Sequence, residues 1–185
     1  MTRIHTITFA VVLLFAQLAA AQAPAEMTKP APEVKKLDLF AGNWSSEGET
    51  QASAFGPAGK FTMKEHTEWF PGGFFVVSHS DVKMPMGEAK GLAIMGYDPV
   101  RKVYTYHAFD SMGMAESATG TVAGDTWTWT NESMMGGKPV KGRYIIKELS
   151  PTSLSFKFEM STEGGPWKLI MEGTSVKEGP TTTAK

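Results

Sequence analysis

The 185-residue chain has room for one domain, carries a formal net charge of −1 with acids and bases interspersed, and contains no cysteine. That excludes disulfides, thiolate chemistry and a lipid-bearing N-terminal cysteine, and it argues against nucleic acid or an anionic membrane surface as partner, since both call for a basic stripe. A chain this long can bury enough apolar surface to fold on packing alone, and its 19 glycines and 11 prolines punctuate it into short segments, as antiparallel β structure does.

Residues 1–21 read as a secretory signal: Arg3, an apolar core over 7–18, then Ala19-Ala20-Ala21, with cleavage expected before Gln22. The apolar core is too short to span a bilayer and no later stretch is long enough, so no integral membrane segment is expected. The product should be periplasmic or secreted. Residues 22–31 form a Pro/Ala-rich flexible linker, 32–177 the folded domain and 178–185 a disordered tail. Val34, Leu37 and Phe40 recur at helical spacing, with Pro32 and Glu33 suited to a first turn and Gly42 to a left-handed end. Trp44 then opens an extended run. A Gly-x-Trp at such a junction suits a small ligand-carrying barrel whose indole plugs one end.

Strand signals follow about every ten residues, each closed by a turn signal. They cover 43–53, 60–70, 74–83, 88–97, 103–109, 114–122, 126–131, 140–149, 153–161 and 167–177. Pro71-Gly-Gly, Asp98-Pro-Val-Arg (a type I composition) and Glu163-Gly-Gly-Pro are among the turns. With hairpin-length turns and no long crossover, the most economical fold is an all-β, up-and-down antiparallel barrel of about ten strands, one short N-terminal helix closing one end. Alternation supports it. Phe61, Met63 and Trp69 oppose Thr62, Lys64 and Glu68; Leu154, Phe156, Phe158 and Met160 oppose Ser155, Lys157 and Glu159. Trp127 shares a face with Trp129, and Trp167 is expected to share one with Leu169 and Met171. Alternate turns of a meander lie at the same end. The pattern thus predicts a closed base holding Trp44 and a looser mouth rimmed by methionine.

The run Leu37-x-x-Phe-x-Gly-x-Trp44-x-x-x-Gly48, then Trp69 with Pro71-Gly-Gly-Phe-Phe, then Gly91-x-x-x-x-Gly96-Tyr-Asp-Pro99 with Tyr104 and Phe109-Asp-Ser111, resembles a family of secreted bacterial proteins. That family is a domain of unknown function with a calycin-like, lipocalin-like barrel. The resemblance covers nearly the whole mature chain; it implies a β-barrel and no assigned reaction. More distantly the chain resembles the nitrobindins, ten-stranded barrels that bind haem through a histidine near the C-terminus. No histidine follows His107 here, so haem by that route is not expected and no cofactor is assigned.

Two constellations carry chemistry. Glu65 shares the face of Phe61 and Trp69, and if Met114, Ala118 and Val122 face inward, Glu116 does too. A hairpin turning at 110–113 would set Phe109 opposite Met114 and His107 opposite Glu116. Such an inward pair can act as acid and base, orient a ligand's polar head, or simply satisfy itself. The parity of this strand stays open, because Tyr104/Tyr106 and His107/Phe109 make equally good inward faces. The second constellation is Met84-Pro-Met86, Met112-Gly-Met114 and Met134-Met135 on one rim, which suits an adaptable apolar opening or soft Cu(I) ligation. His66 and His79 alternate with charged residues and should face solvent, so no zinc set converges. Arg143 reads as a surface charge, although either Arg143 or Arg101 could pack on Trp44 as a late lipocalin arginine does.

The reading is an exported barrel that binds a small, mainly apolar molecule. Its ligand-binding residues are Trp44, Trp69, His107, Glu116, Trp127, Trp129, Phe156, Phe158 and Met171. A carrier is favoured over an enzyme; a homodimer is left open. The alternatives are a barrel enzyme using the His–Glu pair and periplasmic Cu(I) binding by the methionine rim.

Overall fold

A strand that alternates apolar and polar residues must bury one face and pair both edges, and this chain meets both demands by closing on itself. The computed structural model describes residues 29–54 and 56–179. Ten strands follow one another: β1 Gly42–Thr50, β2 Gly59–Trp69, β3 Phe75–Met84, β4 Gly87–Asp98, β5 Val103–Asp110, β6 Ala115–Ala123, β7 Thr126–Met135, β8 Lys138–Ser150, β9 Ser153–Thr162 and β10 Lys168–Lys177. Each pairs antiparallel with its sequence neighbour, and β10 returns to β1, giving the closed meander that the turn spacing predicts. The signal and all but residues 29–31 of the linker lie outside the described residues, as do residues 180–185.

The closing seam runs from Trp44↔Lys177 to Thr50↔Met171, with Gly48 directly opposite Gly173. A Cβ on Gly48 would run into the Glu172 carbonyl oxygen, and one on Gly173 into that of Glu47. Only glycine lets the first and last strands approach this closely. Phe61 and Phe156 fill the space over the pair, their ring centroids 6.0 Å apart.

The floor is built by the segment before β1. Pro32–Leu39 is the expected short helix, and it is a 3-10 helix. The reason lies in the apolar spacing itself. Val34, Leu37 and Phe40 are three residues apart, and at three residues per turn they form one straight stripe. That stripe is buried against Trp44, Val76, Met95, Tyr104, Trp127, Ile146 and Leu154. Hydrogen bonds fix the helix to the wall: Trp44 Nε1 donates to the Phe40 carbonyl (3.0 Å), Trp69 Nε1 to Asp38 (2.8 Å) and the Tyr104 hydroxyl to the Glu33 carbonyl (2.9 Å). Trp44 therefore stoppers one end, as expected.

Elsewhere the structure departs from the sequence reading. β7 runs on to Met135 instead of ending at Asn131, because its polar extension pairs with β8 down to Met135↔Lys138. Glu178, assigned to the tail, is tied down: its N–H donates to the Asn43 carbonyl (2.8 Å) and its carboxylate pairs with Lys64 (2.8 Å). A β-bulge between Leu169 and Met171 reverses the facing of β10, so Trp167 and Leu169 do not share the face of Met171. Trp167 lies on the outer wall under the Arg143 guanidinium, 4.2 Å from the ring centroid, and Arg143 pairs with Glu159 at 2.5 Å. Neither arginine packs on Trp44. The cation over that indole is Lys177, at 5.3 Å.

Candidate functional site

Alternation turns one residue in two of every strand toward the barrel axis, and two levels result. At the floor the inward residues Trp44, Val76, Tyr104, Trp127 and Leu154 are fully buried. Toward the mouth the inward residues Met63, Glu65, Tyr106, Asn131, Tyr144, Phe158 and Met171 are only half-buried, although strands surround them on all sides. A side chain that points inward and still meets solvent borders open space. The upper lumen is such a space.

Its polar groups are specific. Glu65, on β2 opposite Trp44, accepts a hydrogen bond from the Thr67 hydroxyl (3.1 Å). Burial holds its carboxyl above the ordinary carboxylate range, an effect that hydrogen bonds from Ser78 and Thr67 partly offset. Glu116, on β6, is exposed toward the mouth and accepts from Asn131 Nδ2 (2.8 Å); the partial desolvation left to it raises its pKa. Tyr106 lies within electrostatic reach of both carboxylates; burial first, then Glu116 and Glu65, push its phenol far up. Tyr144 is shifted the same way, by burial and then by Glu65 and Tyr106. Among the described residues neither hydroxyl has a hydrogen-bond partner, yet no buried side-chain polar atom is left unpaired. Both phenolic oxygens therefore reach the open lumen.

The direction of the Glu65 shift fixes a prediction. With a native pKa above the ordinary 4.5, the folded state keeps this proton to higher pH than the unfolded chain does. The group's contribution to stability is complete below the unfolded value and is lost as pH rises through the native one, at about 1.4 kcal/mol per pH unit between the two. Glu65→Gln should therefore raise the urea midpoint at pH 8 and leave it nearly unchanged at pH 4. Equal effects at the two pH values would contradict a desolvated carboxyl.

The sequence-derived residues sort cleanly. Trp44 and Trp127 are buried in the floor, and Trp69 is half-buried there. Trp129 stacks on Trp127 (6.0 Å, 13° between planes) and leans on Tyr106 (5.7 Å), linking the floor to the open level. Phe156 lies over the seam, with Tyr144 stacked on it at 5.6 Å. Phe158, Met171 and Glu116 border the upper lumen. His107 does not. The β5–β6 turn leaves Met114 outside the ladder and pairs Phe109 with Ala115, so His107 meets Ser117 and Glu116 meets Ala108. That one-residue offset exchanges the faces of β5. Tyr104 and Tyr106 point in, while His107 is exposed with Nδ1 2.9 Å from the Ser117 hydroxyl. The inward His–Glu pair does not form.

Tyr106 and Tyr144 were not among the candidates. The alternation of Val140, Gly142, Tyr144 and Ile146 was the signal that could have found Tyr144. Two concavities open on the wall. One, of about 560 Å³, crosses β5 to β8 beside Arg101, His107, Lys141 and Trp167; the other, of about 320 Å³, lies among His66, His79 and Asp81 and is bordered by Trp44 and Glu65 as well. Apart from Glu65 most of their charged groups are exposed, and several are already paired, Lys64 with Glu178, Lys90 with Asp81 and Lys141 with Glu132. Desolvated and unpartnered groups occur in the lumen, which makes it the stronger site. Met86, Met112 and Met114 in mouth-side turns, and Met134 at the mouth end of β7, are each at least half exposed, while Met84 packs against the core.

Known proteins agree with this architecture. The sequence profile of one family, described as a protein of unknown function (DUF1579), matches residues 29–177. No curated protein matches the sequence. Among solved structures, the crystal structure of Rv2717c from M. tuberculosis superposes with a TM-score of 0.56 at 14% identity, over 81% of this chain and 99% of that one. The S-type phycobiliprotein lyase CPES from Guillardia theta superposes with a TM-score of 0.53 at 10% identity, over 80% and 93% of the two chains. At such identities the likeness is one of fold.

Proposed function

The chain belongs to DUF1579, a family of proteins of unknown function, and from that premise we propose that it is an exported carrier holding a small, mainly apolar molecule in the upper lumen. One observation carries the reading: above a sealed floor, two tyrosine hydroxyls without protein partners face an open, aromatic-walled space. Ligand pockets combine a mainly apolar lining with a few placed polar groups, and Tyr106, Tyr144, Glu65 and Glu116 supply those groups here. Covering about 300 Å² of apolar ligand surface at ~25 cal/mol/Å² yields roughly 7 kcal/mol, close to micromolar affinity without any catalytic group. Export rests on the signal-like residues 1–21.

Native mass spectrometry of the protein recovered from its own host should show a co-purifying organic molecule. Tryptophan emission should respond to an apolar panel, since Trp129 touches Tyr106 at the lumen. Silence across the panel together with a ligand-free mass would overturn the carrier reading.

The methionine rim makes a separate prediction. Replacing exposed Met86, Met112, Met114 and Met134 with glutamine should change stability by no more than about 0.5 kcal/mol per site. The same variant should slow ligand association several-fold in stopped-flow mixing, because an adaptable apolar lip is lost.

A further inference from the structure

We infer that the lumen is loaded through a notch running down from the lip between β6 and β7, latched by one side-chain hydrogen bond. The inference rests on the carrier reading and names the route by which the molecule enters and leaves.

Strand register carries the argument. β6 and β7 are joined from Ala123↔Thr126 up to Thr119↔Thr130, and there their ladder ends. Both strands run on toward the mouth, β6 to Ala115 and β7 to Met135. Each stays paired on its other side, β6 with β5 as far as Phe109↔Ala115 and β7 with β8 as far as Met135↔Lys138. Residues 115–118 and 131–135 therefore border the same stretch of wall with no ladder between them among the described residues. At ~3.3 Å per residue the parting is roughly 13 Å deep. The concavity of about 560 Å³ lies along it: Ser117, Ala118 and Thr119 line it from one margin, Thr130, Asn131 and Glu132 from the other.

Side chains alone span the notch. Asn131 Nδ2 donates to Glu116 Oε1 across it (2.8 Å), and at its foot the Thr130 hydroxyl donates to the Thr119 carbonyl (3.5 Å). Gly142, paired with Asn131, leaves room for that amide, since a Cβ there would collide with Asn131 Oδ1. Parting two laddered strands breaks a run of backbone hydrogen bonds. Widening this seam breaks one exposed side-chain bond, so local opening starts here.

The notch leads to the aromatic wall of the lumen. Tyr106 stands opposite Ala118 and Trp129 opposite Gly120, their rings 5.7 Å apart. Met114, just before β6, and Met134, near the end of β7, flank the upper end, exposed and adaptable toward an apolar guest. An unpaired edge invites another chain to add a strand; Glu116 and Glu132 put charge on both margins, which discourages that use.

The test staples the notch. Ser117→Cys with Glu132→Cys places thiols two residues beyond the last rung on each strand, in a chain with no other cysteine. They are joined as a disulfide or, where the margins stand too far apart for one, by dibromobimane. Exchange of N-phenyl-1-naphthylamine, a neutral apolar dye, is followed by stopped-flow fluorescence. Stapling should slow association and release about tenfold each and leave Kd unchanged, as closing a gate does, and reducing the disulfide should restore both rates. The same staple across the intact β2–β3 ladder, Thr62→Cys with Lys83→Cys, should alter neither rate. Asn131→Ala, which removes the latch, should speed both several-fold, with urea unfolding confirming that each variant is folded. Unchanged rates after stapling the notch, equal slowing by both staples, or an alanine variant no faster than the parent would overturn the inference and leave a carrier in place. Failure of the unmodified protein to bind the dye would overturn the inference and the carrier reading together.

Discussion

Trp127→Ala should lower the unfolding free energy by about 3–5 kcal/mol, a large share of the ~5–15 kcal/mol that holds a domain together. Trp127 is 3% exposed and sits where three elements meet. Phe40 approaches its edge at 5.0 Å, Tyr104 at 4.6 Å, and Trp129 stacks above it at 6.0 Å. Truncation removes the indole and leaves a void lined by groups with no freedom to collapse, since Tyr104 is hydrogen-bonded to the floor helix and Trp129 spans to the next level. The thermal midpoint should fall by about 10 °C for a chain of this size. Trp127→Phe should recover part of the loss. A cost below about 1 kcal/mol for the alanine variant would mean that the floor is not the packed stopper described above.

The second large effect belongs to Gly173→Val. A Cβ there meets the Glu47 carbonyl and, at 2.8 Å, the Phe156 ring, and backbone on the paired strand cannot swing aside as a side-chain tip can. The seam must widen. The loss should reach about 3 kcal/mol, the upper range for overpacking. Hydrogen exchange localises it: amides of β1 and β10 should lose protection, while those of β5 and β6, on the far side of the barrel, keep theirs. Gly179→Ala serves as the control, since a Cβ at Gly179 meets nothing within 4 Å. Equal destabilisation by both substitutions would remove the seam from the explanation.

Much of the barrel was legible because its punctuation is local. Asp98-Pro-Val-Arg reads as a turn and is one, the Asp98 carboxylate accepting from the N–H groups of Val100 (2.9 Å) and Arg101 (3.0 Å). Strands between such turns need only alternate, and β2 and β9 do. What escaped depended on pairing across strands. In β5 both faces are aromatic, so the facing was decided by how many residues the Asp110 turn leaves out of the ladder, and Met114 is one of them. The bulge that sends Trp167 outward and the Gly48–Gly173 contact are likewise facts about two strands at once. The candidate site suffered most from this. Its walls at Phe158 and Met171 and its carboxylate at Glu116 came from single-strand patterns, whereas losing His107 and gaining Tyr106 turned on one residue of register.

Because β1 begins and β10 ends at the stoppered end, the described chain enters and leaves the barrel on the side away from the opening. A resin, a fluorescent protein or a surface tether joined at either terminus would thus hold the molecule upright, aperture outward and unobstructed. For the carrier proposed above, loading and unloading would then use the same doorway, and residence time would be governed by the lip and not by any rear exit.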